Sequence, residues 1–273
     1  MKKIIATDFD GTLNQGGIQP HVVEAIERFR KAGNLFGVVT GRDRGGSIDA
    51  FLAEKKFGFD FVLALNGAMA FDGEGNHLYS IAVDGSRPVG DTTLSRALLR
   101  RVWELTGFHA GVALEEGRMD IHPDHPEGAQ IKWAVTDPFE DLEKDVFARM
   151  NSFLQVNTIC ESEERAGEVT AVLQKEFGQY VNPLQNGICI DIPAAGLDKG
   201  EGVARYAAMM GVRDEDIWTA GDNYNDIAML ERFRGCAMTR GTEAAKAVSK
   251  HVCWDIAEVV DLAMADGSVQ DNG

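Results

Sequence analysis

Four short apolar runs in this chain each break off at a polar or acidic residue, and that repeated break constrains the fold more than any other feature. Ile4-Ile5-Ala6-Thr7 runs into Asp8-Phe9-Asp10-Gly11, and Leu35-Phe36-Gly37-Val38-Val39 closes on Thr40-Gly41-Arg42. Phe61–Leu65 ends at Asn66-Gly67-Ala68, and Ile217–Ala220 ends at Gly221-Asp222-Asn223-Tyr224-Asn225-Asp226. Unpaired carboxylates at the end of a buried strand cost stability. They are well placed for chemistry, because open α/β sheets bind ligands beyond the carboxyl ends of their strands. Between the first two runs, Val22, Val23, Ile26 and Phe29 recur at helical spacing across Pro20–Ala32, with Gly33 in the position of a C-cap glycine. A second helix is expected near 45–56. Strands separated by helices of this length imply a parallel sheet with right-handed crossovers.

The rhythm changes in the middle of the chain. The pattern predicts a helix over Leu94–Leu105, a hairpin from Ala110–Leu114 and Met119–His122, and a strand at Ile131–Val135. A helix over Phe139–Phe153, a strand at Gln155–Cys160, a helix over Arg165–Phe177 and strands at Tyr180–Val181 and Gly187–Ile192 follow. The first rhythm then resumes, with a helix over Lys199–Met210, the strand at Ile217, a short strand at Cys236–Met238 and two final helices. The fold class expected is therefore α/β: a Rossmann-like, doubly wound parallel-sheet core over 1–82 and 191–273, with an inserted α+β cap domain over 83–190.

A formal net charge of −16 argues against a nucleic-acid backbone or an anionic membrane as partner. A phosphorylated small molecule remains compatible, since a metal ion and a lysine can reverse the sign of a pocket locally. The apolar stretch before Asp8 is too short for a signal peptide, and no apolar run approaches a membrane span. Cys160, Cys189, Cys236 and Cys253 form no C-x-x-C pair, which suits buried thiols in a reducing compartment. The expected location is the cytoplasm.

Parallel strand ends converge on one edge, so the polar residues at those ends can meet. Two aspartates one residue apart, Asp8 and Asp10, can divide nucleophilic attack and proton transfer between them. Asp8, Asp10 and Asp222 are hard oxygen donors with no histidine or cysteine at comparable strand ends, which selects Mg2+ over zinc or copper. Thr40 offers a hydroxyl before a helix start, a natural anion site. Lys199 is a point charge suited to neutralising phosphate, although a lone lysine at a helix start also reads as solvated. Asn225 and Asp226 are placed to brace the loop that Asp222 ends.

With these residues in view, the sequence resembles the haloacid dehalogenase-like phosphatases, specifically the Cof type with an α+β cap inserted mid-chain. The resemblance rests on DFDGT (8–12), VVTGR (38–42), NGA (66–68), DKG (198–200) and GDNYND (221–226), followed by Ala228-Met229-Leu230. It implies that Asp8 is the nucleophile, forming an aspartyl-phosphate, and also ligates Mg2+. Asp10 would protonate the leaving oxygen and then activate water, its backbone carbonyl on the metal. The Phe9 amide, Thr40, Gly41, Lys199 and Asn225 would hold the phosphate. Asp222 would complete the protein's metal ligands, with Asp226 behind them. The cap matches only in length and pattern, and in this family it supplies specificity.

The function expected is Mg-dependent hydrolysis of small phosphorylated metabolites, sugar phosphates foremost and a flavin or pyridoxal phosphate second. Phosphoryl transfer between positions of a sugar, as in a mutase, and a non-catalytic phosphometabolite sensor are the alternatives. Other features read more simply. His122-Pro123-Asp124-His125-Pro126 is a proline-punctuated turn, Gly45-Gly46 lacks the lysine of a P-loop, and Glu161-Ser162-Glu163-Glu164 is a solvated helix start. Trp103, Trp133, Trp218 and Trp254 are expected to pack, with Trp133 able to touch substrate.

Overall fold

The computed structural model of the protein describes residues 2–43, 58–107, 110–115, 117–121 and 149–266. The helix expected near 45–56, Gly45-Gly46, the 122–126 turn, the strand at 131–135 with Trp133, most of the helix expected over 139–153 and the end of the polar tail lie outside the described residues. The chain divides into two compact units, Met1–Tyr79 with Leu197–Gly273, and Ser80–Gly196.

The first unit is built on an eight-stranded sheet. Its early strands are β1 (Ile4–Thr7), β2 (Leu35–Val39), β3 (Phe61–Ala64), β4 (Met69–Asp72) and β5 (His77–Ser80). Strands Ile217–Gly221, Arg234–Met238 and His251–Cys253 complete it. β1 lies at the centre, parallel to β2 on one side and to Ile217–Gly221 on the other. The strands Arg234–Met238 and His251–Cys253 continue the parallel order outward. On the other flank β3 is parallel to β2, but β4 pairs antiparallel with β3. The β4–β5 extension is absent from the sequence reading. Its turn is set by Asp72, whose side chain accepts from the Glu74 and Asn76 amides, a local bond that competes with continuing the strand.

Side-chain alternation along β1 explains why helices cover both faces. Ile5 joins Val22, Ala25, Ile26 and Phe29 of α1 (Pro20–Lys31) and Ile256, Val259, Val260 and Ala263 of the helix Ile256–Ala265 in one core. Ile4 and Ala6 face the other way, onto Val203, Tyr206 and Ala207 of the helix Lys199–Met209 and onto Met229, Leu230 and Phe233. The period of two on a strand thus places successive residues in two cores, as a doubly wound sheet requires.

The second unit has a five-stranded antiparallel sheet. Ala110–Leu114 pairs with Gly117–Ile121 and with Gln155–Ile159, which pairs with Cys189–Pro193, which pairs with Leu184–Asn186. Helices Leu94–Thr106 and Glu163–Phe177 share one apolar core with it, through Leu98, Val102, Val169 and Leu173 against Val112, Val156, Ile190 and Ile192. Glu163 and Glu164 occupy the first turn of their helix, after Ser162 caps the Arg165 amide.

Three expectations change here. Ser152–Phe153 is a strand on Val83–Asp84 rather than a helix end, and Phe153 is buried in the core of this unit. Tyr180–Val181 contributes only a bridge from Val181 to Ala194, because the strand beside Cys189–Pro193 is Leu184–Asn186, folded back through a two-residue turn at Gly187–Ile188. The boundary at 190 moves to 196, since Cys189–Pro193 is an interior strand of this sheet. All four cysteines are free. Trp218 is buried, but Trp254 is 54% exposed and lies under the Arg240 guanidinium.

Candidate active site

The register of the parallel strands builds the site. Thr7 pairs with Val38 and with Ala220, so Asp8, Thr40 and Asp222 emerge past the ends of three adjacent strands. The Asp8 amide donates to Ala220 O (2.8 Å), which fixes where its side chain leaves the sheet.

At the centre is Lys199. It is the first residue of its helix, where a cation is opposed by the helix dipole, and it is only 1% exposed. Its Nζ donates to Asp8 Oδ1 and to Asp226 Oδ1, 2.6 Å each. The solvated reading of this lysine is therefore excluded. Burial alone would lower its pKa, but Asp226 and Asp8 outweigh it and hold the ammonium charged. Asp226 is fully buried, and its other oxygen accepts from the amides of Asp222 (2.8 Å) and Asn223 (3.0 Å). Three donors thus occupy Asp226, two of them amides of the loop after Gly221.

Asp222 Oδ1 accepts from Thr12 Oγ1 at 2.6 Å. The sequence reading quoted Thr12 only as part of DFDGT and assigned it no task. Gly11, between Asp10 and Thr12, has φ +80°, and a Cβ there would stand 2.7 Å from Asp222 Oδ2. Both the conformation and the space require glycine. Among the described residues, no hydrogen-bond donor reaches Oδ2 of Asp8 or Oδ2 of Asp222.

One carboxylate oxygen from each of Asp8, Asp222 and Asp226 lies within 4.8 Å of the others. Desolvation pushes the Asp8 carboxyl up to about 8 despite Lys199, with Asp226 adding to the rise. Burial also raises Asp222, against the Thr12 hydrogen bond. Lys199 alone does not balance three carboxylates, and an all-oxygen donor set suits a hard cation. Asp226 belongs to it by distance, while its own hydrogen bonds leave Asp8 and Asp222 as the carboxylates with an open oxygen.

Asp10 lies apart from this cluster. Its carboxylate forms a two-point ion pair with Arg42, Nε to Oδ2 at 2.6 Å and Nη2 to Oδ1 at 3.0 Å. Thr40 is buried, its carbonyl accepting from the Asn66 amide (2.8 Å) and its hydroxyl from the Arg42 amide (3.2 Å). The turn through Leu65, Asn66 and Gly67 has φ values of 53°, 55° and 95°. Left-handed Leu65 is strained. It is held because its amide donates to Arg42 O (3.0 Å), while Gly67 packs against Gly202 of the lysine-bearing helix. Phe9 buries its side chain in the first core, Gly41 follows Thr40, and Asn225 is buried in the turn Tyr224–Asp226. All these residues belong to the first unit.

The site gathers the Asp8 carboxylate, the buried Lys199 ammonium, Asp222 and Asp226 beside them, and Asp10 on an arginine. The family model for haloacid dehalogenase-like hydrolases matches residues 5–259. The chain is 27% identical to pyridoxal phosphate phosphatase YbhA of Escherichia coli, over 93% of each chain. It is 24% identical to 5-amino-6-(5-phospho-D-ribitylamino)uracil phosphatase YwtE of Bacillus subtilis, over 84% of each. In fold it is similar to a haloacid dehalogenase-like hydrolase from B. subtilis (TM-score 0.76, 18% identity, 98% of this chain and 100% of that one). It is also similar to a subclass IIB sugar phosphatase (TM-score 0.71, 20% identity, 97% and 99%). The chain belongs to the haloacid dehalogenase-like hydrolases.

Proposed function

We propose that this protein is a Mg-dependent phosphatase of small phosphorylated metabolites that works through an aspartyl-phosphate on Asp8. Hydrolysis of phosphoric monoesters is the chemistry of its class. The observation that carries the reading is the Lys199 ammonium buried between Asp8 and Asp226, with Asp8 Oδ2 open beside Asp222. A phosphate monoester brings negative charge to a carboxylate nucleophile, so the barrier is largely electrostatic. Lys199 fixes Asp8 through one oxygen and leaves the other to attack phosphorus. Asp10 gives a proton to the leaving oxygen and then takes one from the water that cleaves the acyl phosphate. Thr40, Gly41, Asn225 and the Phe9 amide hold the transferring group. Asp8, Asp222 and the Asp10 carbonyl would hold Mg2+, which when bound supplies positive charge beyond that of Lys199.

Sugar phosphates are the first substrate class. Pyridoxal phosphate is the second, favoured by the similarity to YbhA over nearly the whole chain. Selection of the leaving group is assigned to the inserted unit. The test is phosphate release from an aryl phosphate, hexose phosphates and pyridoxal phosphate, with and without Mg2+. Activity that needs Mg2+, is removed by chelator and is abolished by Asp8→Asn supports the reading. Turnover that survives Asp8→Asn overturns it, and isomerised sugar without free phosphate points to a mutase. Among the described residues no helix is long and apolar enough to cross a membrane.

A further inference from the structure

The proposed mechanism needs Asp10 to aim a proton at the leaving oxygen, yet nothing in it says what aims Asp10. Asp10 sits on an exposed turn, and its side chain is 48% exposed. A solvated carboxylate on such a turn samples several rotamers, and misplacing a reacting group by about 1 Å can cost on the order of 10²-fold in rate. Among the described residues one side chain, Arg42, holds it. Arg42 meets both carboxylate oxygens with two different nitrogens, at 2.6 and 3.0 Å, the fork-on-fork geometry that sets the plane of the carboxylate as well as its distance.

The backbone that carries this arginine is itself fixed. Its amide donates to Thr40 Oγ1, and its carbonyl accepts from the amide of Leu65. Leu65 holds a left-handed φ of 53°, and the turn it opens rests on the helix that carries Lys199. Arg42 thus stands on the same rigid frame as Thr40 and the ammonium that fixes the nucleophile.

We infer that Arg42 is a positioning residue for the proton-transfer step: it orients Asp10 by two-point contact and acts on the leaving group only through Asp10. This rests on the reading of Asp10 as the general acid. To act as the acid, Asp10 takes up a proton from solvent on one oxygen and turns that oxygen toward substrate. One of the two contacts therefore opens in the reacting complex, while the other keeps the carboxyl near its place. A lysine at this position would keep the charge and lose the fork.

The inference separates two kinds of substrate. A nitrophenyl phosphate expels a stable phenolate and needs little help from a proton donor. A hexose phosphate expels an alkoxide and needs that proton in the transition state. The ratio kcat/KM covers only steps up to formation of the phospho-enzyme, so it isolates the acid step from the later attack of water. Wild type, Arg42→Ala, Arg42→Lys and Asp8→Asn are each assayed on both substrates with Mg2+. The expected result is that Arg42→Ala loses on the order of 10²-fold in kcat/KM on the hexose phosphate and less than about threefold on the aryl phosphate, with Arg42→Lys in between. The aryl activity certifies that each Arg42 variant is folded. Equal losses on both substrates would make Arg42 a phosphate-binding group and overturn the inference, as would no loss on either. Activity that persists in Asp8→Asn, or a wild type inert on both, would instead bring down the phosphatase reading itself.

Discussion

Replacing Lys199 with methionine tests the electrostatic account of the site more directly than any assay of turnover. Methionine is close to lysine in length and leaves little cavity, so the loss is mainly one of charge. Lys199 contacts Asp8 Oδ1 and Asp226 Oδ1 at 2.6 Å each, and it is 1% exposed. Removing one partner of a buried pair costs about 3–5 kcal/mol, because the remaining charge stays uncompensated. Two features place this case near the lower end. Asp226 keeps the amides of Asp222 and Asn223, and Asp8, already pushed up to about 8, can take a proton. We expect a loss of about 3 kcal/mol in chelated buffer at neutral pH. That corresponds to a fall of roughly 6–12 °C in Tm, at about 2–4 °C per kcal/mol for a chain of this order of size. Urea unfolding with chelator present is the measurement, so that no divalent ion substitutes for the ammonium. Adding Asp226→Asn to Lys199→Met should restore about half, since it removes the second buried charge while its amide oxygen can still accept from both backbone donors. A loss below about 1 kcal/mol would refute the reasoning, as would a double variant no more stable than the single one.

Two further predictions follow from the packing around this centre. A Cβ on Gly202 would lie 2.7 Å from Gly67 Cα, whose φ of 95° leaves it little room to move. Gly202→Ala should therefore destabilise by about 1–2 kcal/mol after the gain in helix propensity, and lower turnover by displacing the lysine-bearing helix, while Gly58→Ala, with open space, should stay within about 0.5 kcal/mol. Thermal unfolding of the two variants side by side decides it. Burial raises the phenols of Tyr79 and Tyr206 from 10.0 to about 12. The fold accommodates their neutral forms, so the stability they contribute is complete below pH 10 and is lost as pH rises through about 12. Tyrosinate absorbance should show a late phase that Tyr79→Phe and Tyr206→Phe each diminish; ionisation of both near pH 10 in a still-folded protein would count against it.

The strand ends were legible because parallel strands finish on one edge, and a carboxylate at such an end has no cheap structural purpose. Asp8, Thr40 and Asp222 could be singled out on that ground alone. Lys199 could not, since its burial is decided by Asp8, 191 positions away, and by Asp226, and nothing in the residues beside it announces an ion pair. Thr12 and Arg42 stood inside quoted motifs, but a hydroxyl and a guanidinium acquire their tasks from where Asp222 and Asp10 point. The β4–β5 extension carried a usable signal, the Asp72-Gly73 step before Glu74 and Asn76, which marks a turn. The strand Leu184–Asn186 carried none, because three partly buried residues have no period to read.

The central place of β1 in the sheet has a consequence for the chain as it is made. Its neighbour on one side, β2, follows within tens of residues, but its other neighbour begins at Ile217. At about 5–20 residues per second, roughly 10–40 s separate the synthesis of Thr7 from that of Ile217. Throughout that interval an interior strand of the finished protein is an open edge, with Ile4 and Ile5 exposed to other chains. Asp8 and Asp10 stand directly beside that edge. A charge at each of these two positions disfavours strand-to-strand association along that edge.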